Sequence, residues 1–401
     1  MNRIRLAAIA AAAVLMGAPS LRAVSVATVG DTKLDIYGWV WMYGNYFIDA
    51  AEQQNGWAGS LFLNYTGYGP LDTHTLPDNQ LVFGMQPTRF GFRSTTPTAG
   101  LGDVVTDIQY DLNGSNSNLR HAMVQVGDWY FGKTWTTWGD GSAWAETVDN
   151  NGPVGQPSFC APRPLLVKYI HKSGKHTYTA SLEQQDVANA GALGSAAGVA
   201  DRRNPTLIGG YFYRDDWGHL SLHGMGQYFG VQVPATATAA RKRYGKMEYA
   251  WMVSGDVRIT RKDDVIFSYY QGDAVGAYGT GYQSVVFNDA NRSVTPFRSI
   301  GWVVGYQHAW SPRVRSNVNV SGLHYKQPSL SGPWLAYYYL KSGHSAYANT
   351  FIYFNKNVDL GVEYGWERAT PTDYAKAYDG NYHQAAHNTN RKFEVSLRAR
   401  F

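Results

Sequence analysis

The chain has 401 residues, with 35 Lys and Arg against 30 Asp and Glu, and a formal charge of +5. Arg3, Arg5 and Arg22 fall within the first 23 residues, so the rest carries only about +2. That excludes nucleic-acid binding, which needs a clustered basic face; the run Arg241, Lys242 and Arg243 stands isolated. The single cysteine, Cys160, excludes an intramolecular disulfide.

Residues 1–23 read as an export signal. Arg3 and Arg5 precede an apolar stretch at 6–17 that is too short to span a bilayer, and the small residues after it place cleavage after Ala23, or as late as Ala27. Residues 24–401 then read as one domain. No later run of ~18 apolar residues occurs, so no transmembrane helix is expected. The mean hydropathy of -0.34 fits a soluble protein. It fits a membrane barrel equally well, because only alternate residues of a spanning strand face lipid. The 29 Tyr and 13 Trp favour the barrel, since rings with polar tips suit the headgroup level.

Alternation of apolar and polar residues predicts strands at 33–49, 81–96, 103–112, 119–127, 129–135, 163–172, 176–185 and 207–215. Further strands follow at 219–231, 246–260, 264–274, 297–310, 313–325, 346–355, 358–368 and 392–401. The last alternates strictly over ten residues and ends on Phe401, resembling the terminal strand of bacterial outer-membrane barrels. Alternate links are tight turns, such as Gly127-Asp128 and Lys172-Ser173-Gly174-Lys175. Most of the others, among them 50–80, 136–162, 186–206 and 369–391, are long and polar. Short turns at one end, long loops at the other and an even strand count near sixteen define an all-β, antiparallel transmembrane barrel.

Closure follows from chemistry: unpaired backbone N–H and C=O groups cannot face hydrocarbon, so a spanning sheet must have no edge. About sixteen strands enclose more space than side chains fill, which leaves a water-filled lumen. The first strand begins near the expected cleavage site, leaving no room for an N-terminal plug. Parity assigns the faces. Phe90 and Phe92 point to lipid and Arg89 and Arg93 inward; Ile108 and Tyr110 outward, with Asp107, Gln109 and Asp111 inward; Val318 and Val320 outward, with Arg315, Asn317 and Asn319 inward. The same reasoning turns Glu248, Asp359 and Glu363 inward.

Leu34-Asp35-Ile36-Tyr37-Gly38-Trp39-Val40, Arg89-Phe90-Gly91-Phe92-Arg93, Leu119-Arg120-His121-Ala122 and Phe131-Gly132-Lys133-Thr134-Trp135 resemble the DcaP-like porins of the trimeric Gram-negative porin superfamily. The resemblance implies a homotrimer among outer-membrane lipid and lipopolysaccharide. It also implies passage of small solutes, dicarboxylates among them. By the same resemblance, residues 136–162 are a constriction loop folded into the lumen, offering Asp140, Glu146 and Asp149. Arg89 and Arg120 match wall positions, and Arg93, Lys133, Lys168 and Arg315 are the further basic candidates. A positive wall opposite a negative loop would set a transverse field and a mild anion preference.

Two other chemistries compete with this reading. His219 and His223 share a strand ~13 Å apart, too far for one metal, and with His383 and His387 they read as surface or loop groups. No HExxH, Walker or GxSxG motif occurs, so no catalytic residue, metal or cofactor is expected and a barrel enzyme is the remote reading. A sugar-specific channel is the nearer alternative, using Trp135, Trp138, Trp144, Tyr337, Tyr338 and Tyr339 as a stacking track.

Overall fold

A computed structural model describes residues 24–49, 79–112, 118–150, 152–157, 163–184, 199–201, 203–233, 242–273, 275–279, 285–288, 293–326, 340–371, 375–376, 382–383 and 388–401. Cys160, Tyr337, Tyr338, Tyr339 and the expected leader lie outside the described residues. Among the described residues, sixteen strands close into one antiparallel ring. They are β1 (Thr32–Phe47), β2 (Arg89–Thr98), β3 (Gly102–Asp111), β4 (Asn118–Val126), β5 (Trp129–Lys133), β6 (Leu165–Ser173), β7 (His176–Glu183) and β8 (Thr206–Asp215). The second half comprises β9 (Gly218–Val233), β10 (Lys242–Arg258), β11 (Asp263–Asp273), β12 (Arg298–Ser311), β13 (Val314–Lys326), β14 (Leu340–Tyr353), β15 (Val358–Pro371) and β16 (Asn388–Arg400). Each pairs with its sequence neighbour, and β16 closes the ring on β1, from Trp39 opposite Arg400 to Phe47 opposite Lys392.

Closure leaves no edge, so the wall's backbone groups bond strand to strand. The seam is locked where the chain ends: Gly38 and Phe401 exchange backbone hydrogen bonds, each 3.0 Å. The tight turns gather at one end. Gly127 and Gly174, at φ +56° and +60°, sit in the left-handed region that these two-residue reversals require.

Outward positions are apolar and uncovered: Phe92 is 50% exposed, Leu222 56% and Val318 54%. Their polar neighbours are packed inside, with Asp107, Gln109, Asn317 and Asn319 all buried. A charge on the outer face would cost about 2–4 kcal/mol at mid-membrane, so the alternation is an energetic condition of the fold.

Two elements differ from the sequence reading. Val24–Val29 forms an additional strand, turned through Gly30 onto the start of β1, with every residue exposed. The expected strand 81–96 is two pieces, Gln80–Gly84 against the far half of β1 and β2 against its near half. Pro87 lies in the break: it has no N–H for the ladder, and its carbonyl accepts from Trp39 Nε1 (2.7 Å) and Arg89 Nε (3.3 Å).

Candidate functional site

The link between β5 and β6 runs inward instead of over the rim, because its polar groups find partners on the inner wall. Thr136 Oγ1 and the Thr137 N–H both donate to the Glu183 carboxylate on β7, each at 2.7 Å. Asp140 then caps a single helical turn, Gly141–Ala143, by accepting from Ser142 N. Its Oδ2 also meets His219 Nε2 (2.6 Å) on β9 and accepts from the hydroxyls of Ser221 and Ser254 (3.1 and 2.9 Å).

Beyond that anchor the loop follows the wall. Glu146 pairs with Arg315 (2.5 Å) on β13, and its carbonyl accepts from Asn349 Nδ2 (2.9 Å) on β14. The N–H groups of Val148 and Asp149 donate to Glu363 (2.8 and 3.0 Å) on β15, and Asp149 pairs with Lys392 on β16. Returning, Val154 N donates to Ser345 (3.2 Å), and Gly155 lies so close to β13 that an added Cβ would overlap the Gly322 carbonyl. Apolar packing completes the anchorage. Trp138 and Val154 of the loop, with Val275, Tyr278 and Phe297 from the β11–β12 link, form one buried cluster with Ile208, Met252, Tyr270 and Tyr325 of the wall.

Asp140 is the best-anchored acid. Burial opposes its ionisation, but the hydrogen bond and charge of His219, with His223 and Arg214 nearby, outweigh burial and hold the carboxyl at about 2.

The basic candidates divide. Arg89, Arg120 and Lys168 come together around the loop's stem. Arg120 pairs with Asp111 (2.6 Å) and stands 5.7 Å from the Trp135 ring centroid, and Lys168 Nζ donates to the Trp135 carbonyl (2.8 Å). Arg89 lies 4.1 Å over Trp39. All three are nearly buried. Arg93 sits further along β2, its side chain 33% exposed and paired with Asp107 (2.5 Å). Lys133 is half-buried at the end of β5. Arg315 belongs elsewhere, across the barrel with Glu146. Asp140 and Asp149 are buried on the anchoring side, and the Glu146 side chain keeps 24% exposure.

Several participants escaped the sequence reading. Arg163, at the returning stem, stacks 4.7 Å over Trp135. Arg398 and Arg400 share Asp359 at 3.1 and 2.5 Å. His219 and His223 are not surface groups; they are 2% and 1% exposed, His223 Nδ1 facing the Thr137 carbonyl at 3.0 Å. Strand parity was the available signal: His219, Ser221 and His223 alternate with the outward Leu220 and Leu222.

A closed sixteen-stranded barrel with an apolar exterior, a polar interior and a loop anchored within defines a porin-type channel of the outer membrane. The sequence profile of the DcaP outer membrane protein family matches residues 30–378, and the chain belongs to that family. No curated protein matches the chain by sequence. Among solved structures, the outer membrane channel DcaP of Acinetobacter baumannii superposes with a TM-score of 0.75 at 18% identity, covering 94% of this chain and 99% of that one. An anion-selective porin from Comamonas acidovorans gives 0.57 at 11% identity, with 92% and 100% covered. OmpT, an outer membrane protein of Vibrio cholerae, gives 0.56 at 12%, with 96% and 100% covered. At these identities the likeness is one of fold.

Proposed function

We propose that the channel passes small hydrophilic solutes by diffusion, with a mild preference for anions such as small mono- and dicarboxylates. The observation that carries this is the convergence of Arg120 and Arg163 on Trp135, with Arg89 beside them over Trp39; Asp111 is the carboxylate that pairs with Arg120. Arg89 is within electrostatic range of Arg120, Arg163 and Arg398, with Asp111 opposing them. The loop, by contrast, ties Asp140 to His219 on β9 and Asp149 to Lys392 on β16, so each of these acids already has a basic partner. Solutes therefore pass between the loop and the β2–β6 wall, with Arg93, Lys133 and Arg163 as the more accessible cations. Focusing between low-dielectric walls raises the local concentration of anions.

A sugar track is less well supported: Trp138 is fully buried, and Trp135 and Trp144 meet edge to face at 5.4 Å with Arg163 over Trp135. Barrel-enzyme chemistry has no support in the family or the neighbours named above, which are channels and outer-membrane proteins. Homotrimeric assembly is part of the proposal, supported by a trimer form among the Vibrio cholerae OmpT structures. So is export through a leader cut after Ala23, which leaves the strand Val24–Val29 whole. The test is the reversal potential of the reconstituted channel under a KCl gradient. Its sign should correspond to chloride as the more permeant ion, and a clear potassium preference refutes the anion reading.

A further inference from the structure

The outer face of β7–β9 carries a break in its apolar pattern. Ala180, Gly209 and Gly224 are in-register neighbours on three adjacent strands, Gly209 opposite both of the others. They share the outward side with Leu182, Leu207 and Leu222, which are 51%, 56% and 56% exposed. Three strands thus present nothing larger than a methyl group at one level, and a Cβ built on Gly224 meets nothing within 4 Å. The result is an apolar trough of about 690 Å³ walled by Leu207, Met247, Tyr249 and Trp251.

Arg298, the first residue of β12, also lines the trough. Its register partner is Lys326, the last residue of β13. Both stand at the end of the barrel that carries the long links, which in such barrels faces the exterior. Arg298 holds Asp273 through Nε (2.9 Å) and Nη2 (3.3 Å), so Nη1 takes no part in that pair. Lys326 is exposed and forms no ion pair among the described residues.

We propose that this trough binds a phosphorylated, acylated glycolipid of the outer leaflet, one acyl chain along the glycine row and a phosphate on Arg298 and Lys326. Hydrocarbon alone would fill the trough but leave Arg298, Lys326 and Lys246 against Asp273 and Glu248, one positive charge in excess. An anionic headgroup at the same end supplies the missing charge, and guanidinium and ammonium groups are suited to phosphate oxygens. The proposal rests on the outer-membrane location and not on ion selectivity.

Native mass spectrometry of protein extracted from outer membranes in mild detergent tests it, followed by back-titration with bisphosphorylated lipid A, its dephosphorylated counterpart and inorganic phosphate. Gly224→Leu fills the trough, and Arg298→Gln with Lys326→Gln removes the charge. Lipid retention should fall at least ten-fold in each, dephosphorylated lipid should bind at least ten-fold more weakly, and inorganic phosphate should not displace the bound lipid. Conductance should stay unchanged, since none of these residues faces the lumen. Retention at the wild-type level in either variant overturns the proposal. So does separation of Gly224→Leu into monomers with lipid still bound, which would make a second copy the occupant. Should Gly224→Leu fail to insert, the exposed charge pair decides alone.

Discussion

Removing the Asp140 carboxylate should release the loop at its first anchor. In Asp140→Ala, His219, Ser221, Ser254 and the Ser142 N–H all lose their acceptor. The magnitude follows from linkage. The Asp140 carboxyl lies at about 2 instead of 3.8, which corresponds to about 2 kcal/mol favouring the anchored form. That agrees with the ~1.5–3 kcal/mol of a hydrogen bond to a charged group. Two kilocalories is roughly a 30-fold change in the opening equilibrium. Single-channel recordings of Asp140→Ala should therefore show additional open levels or flicker, about 30-fold more populated than in the wild type. A depressed carboxyl contributes stability that is present above its unfolded value and lost as pH falls through its folded one. The contrast between variant and wild type should thus be full above pH ~4 and fade toward pH 2. Traces indistinguishable at pH 7, or a contrast that grows on acidification, would mean that Asp140 does not hold the loop.

Other outcomes follow from the same geometry. Arg89→Gln combined with Arg163→Gln should lower the chloride-to-potassium permeability ratio by about two-fold or more, read from reversal potentials. Gly155→Ala sets a methyl group against the Gly322 carbonyl at a φ of +79° and should cost about 1–3 kcal/mol, measurable in the denaturation midpoint and in loop-dependent current noise. Leu222→Arg places a charge on the lipid face and should cost about 2–4 kcal/mol in refolding into vesicles, with no change in ion selectivity.

What could be read in advance depended on whether a feature is local. The terminal strand, the Phe90 and Phe92 parity and the Gly127 turn are written in consecutive residues, and alternation at period two exposes them. Pro87 was visible too, but alternation on both sides of it hid the break it makes in the ladder. The Val24–Val29 strand was obscured by the export signal ending beside it. The loop's anchors were beyond reach: Asp140 meets His219 across 79 residues and Asp149 meets Lys392 across 243. Acidic residues on a Gly- and Pro-containing loop imply a negative surface, whereas the fold uses two of the three as buried ties. Arg163 was hidden at a strand boundary, and its place beside Trp135 depends on how the two stems of the loop meet.

The proposed solute route runs between the loop and the β2–β6 wall, with the wall at β10 and β13 covered by the loop. Cysteine accessibility in a Cys160→Ser background tests this most directly, using a charged thiosulfonate reagent during single-channel recording. Arg93→Cys and Lys133→Cys should be modified quickly and the current reduced in steps, while Ser254→Cys and Asn319→Cys, both 1% exposed, should be unaffected. Rapid block at Ser254→Cys or Asn319→Cys with protection at Arg93→Cys and Lys133→Cys would put the conduit on the opposite side.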